Sequence, residues 1–326
     1  MATAQWIYTN TGAAQLRGLS VTDPATVWAS GGRGSVVRST DGGYIWRADT
    51  VGGGTTLDFR SIRAVNTDVA LIASAGEAEK GQAAIYSTGS AGARWIAEFV
   101  TKDSGVFFDA LERWDAGGWV ALSDPTQGAF TLFMSTDGKT WTRLPSAALP
   151  RVLRGEAAFA ASGTSLVLRG KSDMWIGTGG GGTARVMYSP DRGATWSVSE
   201  TPVYAEGPSA GIFGLAFFDA KRGIAVGGDY AKPKFTAVSV ALTSDGGRTW
   251  RAAKAPPGAF LSCVAYAGSA DKLVAVGLAG TFVSSDSGET WAQIDSIALN
   301  TVKFVGTSGW AVGPQGRVAR WAPKSP

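Results

Sequence analysis

The sequence predicts an all-β chain: a single seven-bladed β-propeller of four-stranded antiparallel blades, the last blade closed by the N-terminal strand. Three observations predict it. A turn-forming phrase recurs as STDGGYIW (39–46), the shorter STDGKTW (135–141), SPDRGATW (189–196), TSDGGRTW (243–250) and SSDSGETW (284–291). A tryptophan closes each copy, and Trp46, Trp95, Trp141, Trp196, Trp250 and Trp291 stand 49, 46, 55, 54 and 41 residues apart, the length of a four-stranded blade with variable loops. Trp6 lies 40 residues before Trp46, and counting from Trp291 through the C-terminus to Trp6 gives 41, so the register closes on itself.

Each part of the phrase has a physical reason. Gly42, Gly138, Gly193, Gly247 and Gly288 supply the positive φ of a tight hairpin. Asp41, Asp137, Asp191, Asp245 and Asp286 can accept hydrogen bonds from the N–H groups of their own turn. Trp46, Trp141, Trp196, Trp250 and Trp291 then open the next strand and offer a large apolar face. Trp95 ends a degenerate copy, STGSAGARW (87–95), that has lost the Asp.

Strand-like runs of 4–8 residues, rich in Val, Ile, Phe and Trp and bounded by Gly, Asp and Ser, divide the chain into blades at about 16–50, 58–100, 107–147, 155–203, 211–254, 260–297 and 299–323. In blade four the first strand is expected in AAFAAS (157–162). The seventh blade stops one strand short, and QWIYTN, within residues 4–10, completes it and leaves no unpaired edge. GTGGGGT (177–183) lies between two strands, with no helix after it, and is read as a loop rather than a dinucleotide-binding turn.

Composition removes several function classes. The chain has 326 residues, 44% hydrophobic, with 45 Gly and 13 Trp, as a turn-rich β protein of repeated units does. Lys and Arg number 30 against 26 Asp and Glu, and the surplus of 4 is dispersed, so nucleic acid is not the expected partner. There is no His, which excludes Ser-His-Asp chemistry, His-ligated zinc and a His general base. One Cys, Cys263 in FLSCVAYAG, excludes an internal disulfide and reads as a buried small hydrophobe. No run reaches the roughly 20 apolar residues of a membrane helix. No metal and no cofactor are expected, and the propeller is expected to be a monomer.

The repeated phrase resembles the Asp box (BNR repeat) of sialidase-type and related propellers. Together with GIAVGG (223–228), KLVAVG (272–277) and GWAVG (309–313), it resembles bacterial relatives of the photosystem II assembly-factor propellers over nearly the whole chain. That resemblance implies a non-catalytic binding or assembly propeller with a protein partner. Met1-Ala2-Thr3-Ala4-Gln5 look like the small-residue end of a cleaved leader with a start Met added. Asp-box propellers commonly work outside the cytoplasm, so a periplasmic or secreted protein, its leader removed, is expected.

Propeller geometry separates turn carboxylates from candidate functional ones. The third-to-fourth turns carry the five Asp-box carboxylates on one face, where they form turns first. The opposite face carries the starts of the first strands, with Arg17, Arg60, Asp109, Glu156 and Asn300. It also carries the second-to-third loops, with Arg33, Glu77, Asp124, Asp229, Tyr230 and Gln315. Among these, Arg17, Arg33, Arg60, Asp109, Asp124, Glu156, Asp229 and Tyr230 are the candidate binding residues around the channel mouth. The alternative is a glycan-processing hydrolase of sialidase type. Arg17, Arg60 and Arg154 can form an arginine triad, with Tyr204-Ala205-Glu206 or Asp229-Tyr230 supplying the rest. Against it stand seven blades rather than the six of sialidases, and the absence of a Pro after Arg17. Asp109, Asp124, Glu156 and Asp229 are the candidate acids for an ordinary glycosidase, with no pair singled out.

Overall fold

The computed structural model describes residues 4–234 and 236–323. Among them are seven separate four-stranded sheets, and six run in simple chain order from inner to outer strand. The inner strands are Leu16–Val21, Phe59–Ala64, Phe108–Arg113, Leu166–Arg169, Ala210–Phe217, Cys263–Tyr266 and Thr301–Val305. A lone four-stranded meander has two faces and too little of itself to cover them, so each blade buries its faces against its neighbours. The second strands show this most clearly. Val27–Gly31, Ala70–Ser74, Gly223–Asp229 and Leu273–Gly277 are buried along their whole length, whereas the outer strand Arg47–Thr50 is exposed throughout.

The seventh blade is built from both ends of the chain. Ala4–Asn10 pairs antiparallel with Arg317–Pro323, in register from Ala4 opposite Pro323 to Asn10 opposite Arg317. Trp6 is buried there, its Nε1 donating to Thr281 Oγ1 of blade six at 2.9 Å and its ring edge-on to Trp321 at 4.7 Å. Tyr8 Oη donates to Asp295 Oδ2 at 2.6 Å. On the inner side, Asn300 Nδ2 donates to the Leu16 carbonyl at 2.7 Å and ties blade seven to blade one. Of the leader-like stretch, Met1, Ala2 and Thr3 lie outside the described residues.

The five Ser/Thr-x-Asp turns share one hydrogen-bond plan. The Asp carboxylate accepts backbone N–H groups in the turn after it, three and four residues on at Asp41 (Tyr44 and Ile45, both at 3.0 Å) and two and three on at Asp137 of the shorter copy (Lys139 and Thr140, both at 2.8 Å). The Ser or Thr hydroxyl donates to the same carboxylate and accepts the Gly N–H, as Ser284 does with Asp286 and Gly288. The Trp indole then donates back to the Gly carbonyl, from 2.9 Å at Trp291 to 3.2 Å at Trp141. In the degenerate copy Ser90 Oγ takes the carboxylate's place and accepts from the Arg94 N–H at 3.0 Å. The Trp95 indole N–H there is buried without a partner.

These turns also clamp the ring. Trp310 of blade seven donates to the Gly42 carbonyl of blade one at 2.9 Å, and Trp175 of blade four to the Gly246 carbonyl of blade five at 2.8 Å. Gly43 has φ +89°, and a Cβ there would stand 2.9 Å from the Trp310 indole, so only Gly lets the neighbouring blade approach this closely. Trp28, Trp175 and Trp310, on second strands, are the buried indoles of this interface, while the Trp46, Trp196, Trp250 and Trp291 ladder is only half-buried.

Blade four departs from the sequence reading. Its inner strand is Leu166–Arg169, not AAFAAS (157–162). The preceding segment leaves the blade and crosses the central channel. The Ala160 and Ala161 carbonyls accept from Arg60 and Arg17 of blades two and one, and Ser162 Oγ donates to the Ser262 carbonyl of blade six at 2.9 Å. AAFAAS is apolar because it is buried in the middle of a ring, which sequence pattern alone does not distinguish from burial in a sheet.

Deleting residues 1–10 should unpair the Arg317–Pro323 strand and remove Trp6 from the blade six interface. We expect a loss on the order of 3–5 kcal/mol from the indole alone and self-association through the bared edge. Denaturant unfolding and light scattering of the truncated chain test this. Trp175→Ala should also cost about 3–5 kcal/mol, half-buried Trp250→Ala less, and Asp245→Ala about 1 kcal/mol, in that order of denaturation midpoints.

The turn carboxylates also give an acid limit. Hydrogen bonds from Thr140 and Lys139 hold Asp137 down to about 2, and those from the Thr290 side chain and N–H do the same for Asp286. At Asp245 partial burial pushes upward, but the Thr249 contacts outweigh it and it too lies at about 2. A folded-state value below the unfolded one of roughly 3.9 means full stabilisation above about pH 4, lost as pH falls toward 2. Acid titration at fixed denaturant should show that fall, shallower in Asp245→Asn.

Candidate functional site

Five strand irregularities build the site. In regular antiparallel pairing the residue opposite a partner points to one face of its blade, and side chains alternate. The inner strands of blades one, two, three and five each insert one extra residue near their start, and those residues are Arg17, Arg60, Asp109 and Phe213. A fifth bulge, in the second strand of blade three, falls on Asp124. A bulge leaves its extra residue outside the ladder and re-aims it. All five line one cavity of about 360 Å³ at the channel mouth, on the face opposite the Ser/Thr-x-Asp turns.

The cavity has two chemically different sides. Blades one to three give the polar side. Arg17 Nη1 donates to the Ala161 carbonyl at 3.3 Å, and burial, then repulsion from Arg60, lowers its guanidinium to about 10. Arg60 pairs with Asp58 at 2.7 Å and lies over the Phe107 ring at 6.0 Å. Asp109 is fully buried and its Oδ2 has no hydrogen-bond partner. Burial, with the nearby Asp124 charge adding to it, pushes Asp109 well above the usual carboxylate range, Arg60 opposing. Asp124 accepts the Ala158 N–H at 3.2 Å, and burial raises it to about 6.

Blades four to six give the apolar side. Phe159, on the crossing segment, stacks on Phe213 with centroids 3.9 Å apart, and Phe260 meets Phe213 edge-on at 4.7 Å. Tyr230 stands edge-on to Phe213 at 5.9 Å and is 50% exposed, with Leu278 at 40% beside the same opening. The floor is Ala158–Ala161 of the crossing segment, and Asn300 and Ser262 complete the wall.

The structure thus brings together Arg17, Arg60, Asp109, Asp124, Tyr230 and Asn300. It does not bring Arg33, Glu77, Glu156, Asp229 or Gln315 into the cavity. Arg33 and Gln315 sit at positive φ on the tips of their turns, and exposed Glu77 pairs with Lys80 at 2.7 Å. Glu156 is buried and anchors the crossing segment. It is held by the Arg185 guanidinium and by Thr178 Oγ1 at 2.6 Å, and it accepts the Leu153 N–H at 2.8 Å. Asp229 is buried beside the rim and accepts the Ala231 N–H at 2.9 Å. Of the residues in the sialidase reading, Arg17, Arg60 and Tyr230 line the cavity, whereas Arg154, Tyr204 and Glu206 do not. Sequence reasoning missed Phe107, Phe159, Phe213 and Phe260. The signal was available for three of them, Phe107, Phe213 and Phe260, each an aromatic within three residues of the start of an inner strand.

No family model matches the chain and no curated protein matches it. Solved structures do. YCF48 bound to a D1 peptide is 16% identical with a TM-score of 0.67, covering 97% of this chain and 96% of that one. YCF48 from Cyanidioschyzon merolae is 15% identical with a TM-score of 0.67, covering 98% and 99%. The chain therefore resembles the photosystem II assembly-factor propellers in fold, along its whole length.

Proposed function

We propose that this chain is a non-catalytic binding or assembly-factor-like propeller that takes a protein partner on the face around the channel mouth. The observation that carries the reading is the two-sided cavity, with Arg17, Arg60, Asp109 and Asp124 facing an aromatic wall across one opening. A peptide presents both polar groups and apolar side chains within a few ångströms, and such a site holds each against its complement. The likeness to YCF48 bound to a D1 peptide supports a protein partner, because the neighbour uses the same architecture to hold a peptide. The partner here need not be photosynthetic. We place the protein in the periplasm or outside the cell, as a monomer, with glycan as a second class of ligand to be tested.

A pull-down from the native envelope fraction, beside hydrolysis assays on fluorogenic sialosides and other glycosides, tests the reading. We expect a partner that is lost with Arg17→Glu and Arg60→Glu, both variants still melting cooperatively, and no turnover. Glycoside turnover that disappears with Asp124→Asn or Asp109→Asn would replace the binding reading with a hydrolase.

A further inference from the structure

We propose that the mouth cavity binds a carboxylate carried next to an aromatic or branched apolar group, and that one proton is taken up as it binds. This rests on the reading of the mouth as a binding site and specifies its ligand and its regulation.

Charge accounting gives the ligand's sign. The guanidiniums of Arg17 and Arg60 share the mouth with the carboxyl groups of Asp58, Asp109 and Asp124. Asp58 is committed to Arg60, and Arg17 reaches a neutral carbonyl rather than an acid. With Asp109 and Asp124 both protonated the set carries one net positive charge, which a single carboxylate neutralises. With both ionised it carries one net negative charge and repels an anion. Further charges around Asp124 are the Glu156–Arg185 pair beneath the crossing segment, Arg143 with Asp103 on the same blade, and Asp229 with Lys232 across the rim. These are paired among themselves and leave the balance unchanged.

The unpartnered atom gives the geometry. Asp109 is fully buried, lines the cavity and has an Oδ2 that meets no donor or acceptor. Burial pushes that carboxyl well above the usual carboxylate range and so toward the protonated form, in which it offers a ligand carboxylate a donor. Asp124, raised to about 6, is ionised near neutral pH and takes a proton when a second carboxylate arrives beside it. The proton comes from solvent, and no bond other than O–H forms. The remaining body of the ligand meets Phe159, Phe213 and Phe260, a stacked and edge-on set that takes a flat or branched apolar group. The volume, about 360 Å³, lies within the range of small-ligand sites, about 300–1,000 Å³.

The test is calorimetric titration with N-acetyl-L-phenylalanine and its amide, and with a hexapeptide ending in Phe as free acid and as amide. Each is run at pH 6, 7 and 8 in two buffers of different protonation enthalpy. We expect the acids to bind and the amides not to. The dissociation constant should rise toward tenfold per pH unit above about 6, with close to one proton taken up per ligand at pH 8. Asp124→Asn, isosteric and neutral, should bind equally well at pH 6 and 8 with no proton uptake, and Arg17→Gln should weaken binding at least tenfold. Tighter binding of the peptide than of the small acid assigns the site to chain ends, and equal binding assigns it to free acids. Equal binding of acid and amide, a pH-independent wild type, or proton uptake that persists in Asp124→Asn overturns the proposal. If these fail while Arg17→Glu still abolishes partner capture, the ligand chemistry is wrong and the binding face stands.

Discussion

A ring of seven blades has to close, and the rest of the molecule depends on how it does so. No single blade can bury both its faces, so the hydrophobic gain of any one is realised only with a neighbour on each side. Several linkages complete the circle, the Trp310 indole on the Gly42 carbonyl among them. On the outside, Ala4–Asn10 zips onto Arg317–Pro323. On the inside, Asn300 reaches the Leu16 carbonyl. Between neighbours the Ser/Thr-x-Asp turns act as spacers, their backbone pinned by a carboxylate and received by side chains of the preceding blade: Trp310 at Gly43, Trp175 at Gly247, Leu71 at Gly138, Leu144 at Gly193 and Leu242 at Gly288. The order at the mouth is a product of that closure, because its lining comes from all seven blades, blade four through its crossing segment, and no local segment holds them together.

The mouth is made by exceptions to the sheet pattern. Alternation along an inner strand sends side chains into the two interfaces with adjacent blades, leaving none for the channel. One extra residue breaks that rule in four inner strands, and another does so in the second strand of blade three; these five bulges fall on two arginines, two aspartates and a phenylalanine. The small residues that follow four of them, Gly18, Ser61, Ala110 and Gly214, allow the next blade to stay close. At Gly214 a Cβ would stand 2.9 Å from Thr164 Oγ1. A bulge is thus absorbed without opening a gap between blades.

Much of this was legible in the sequence, and the limits have physical causes. The fold was legible because its determinants are local: five residues of one turn, repeated at blade length. The face was legible because strand starts and second-to-third loops share one side, so Arg17, Arg60, Asp109, Asp124, Tyr230 and Asn300 could be grouped. Arg33 and Gln315 were grouped with them too, but each sits at positive φ in the three- or four-residue loop that joins its strands and lies outside the cavity lining. Glu156 was misread for another reason. Its partner Arg185 lies 29 residues on, and nothing in either neighbourhood announces the pair. The bulges themselves left no trace: Arg17, Arg60, Asp109 and Asp124 stand out as charges at strand starts and in a loop, but nothing in the sequence marks the ladder shift that re-aims them.

The crossing segment changes what kind of object a propeller is. Ala158–Ala161 floor the mouth, while Ser162 and Gly163 border a separate small cavity of about 110 Å³ with Arg63, Glu112 and Lys303 on the far side. An unobstructed ring is a conduit; this one is a dish. Whatever enters the mouth must leave by the way it came, so occupancy there is single-file with one place in the queue, and a second guest waits until the first has gone.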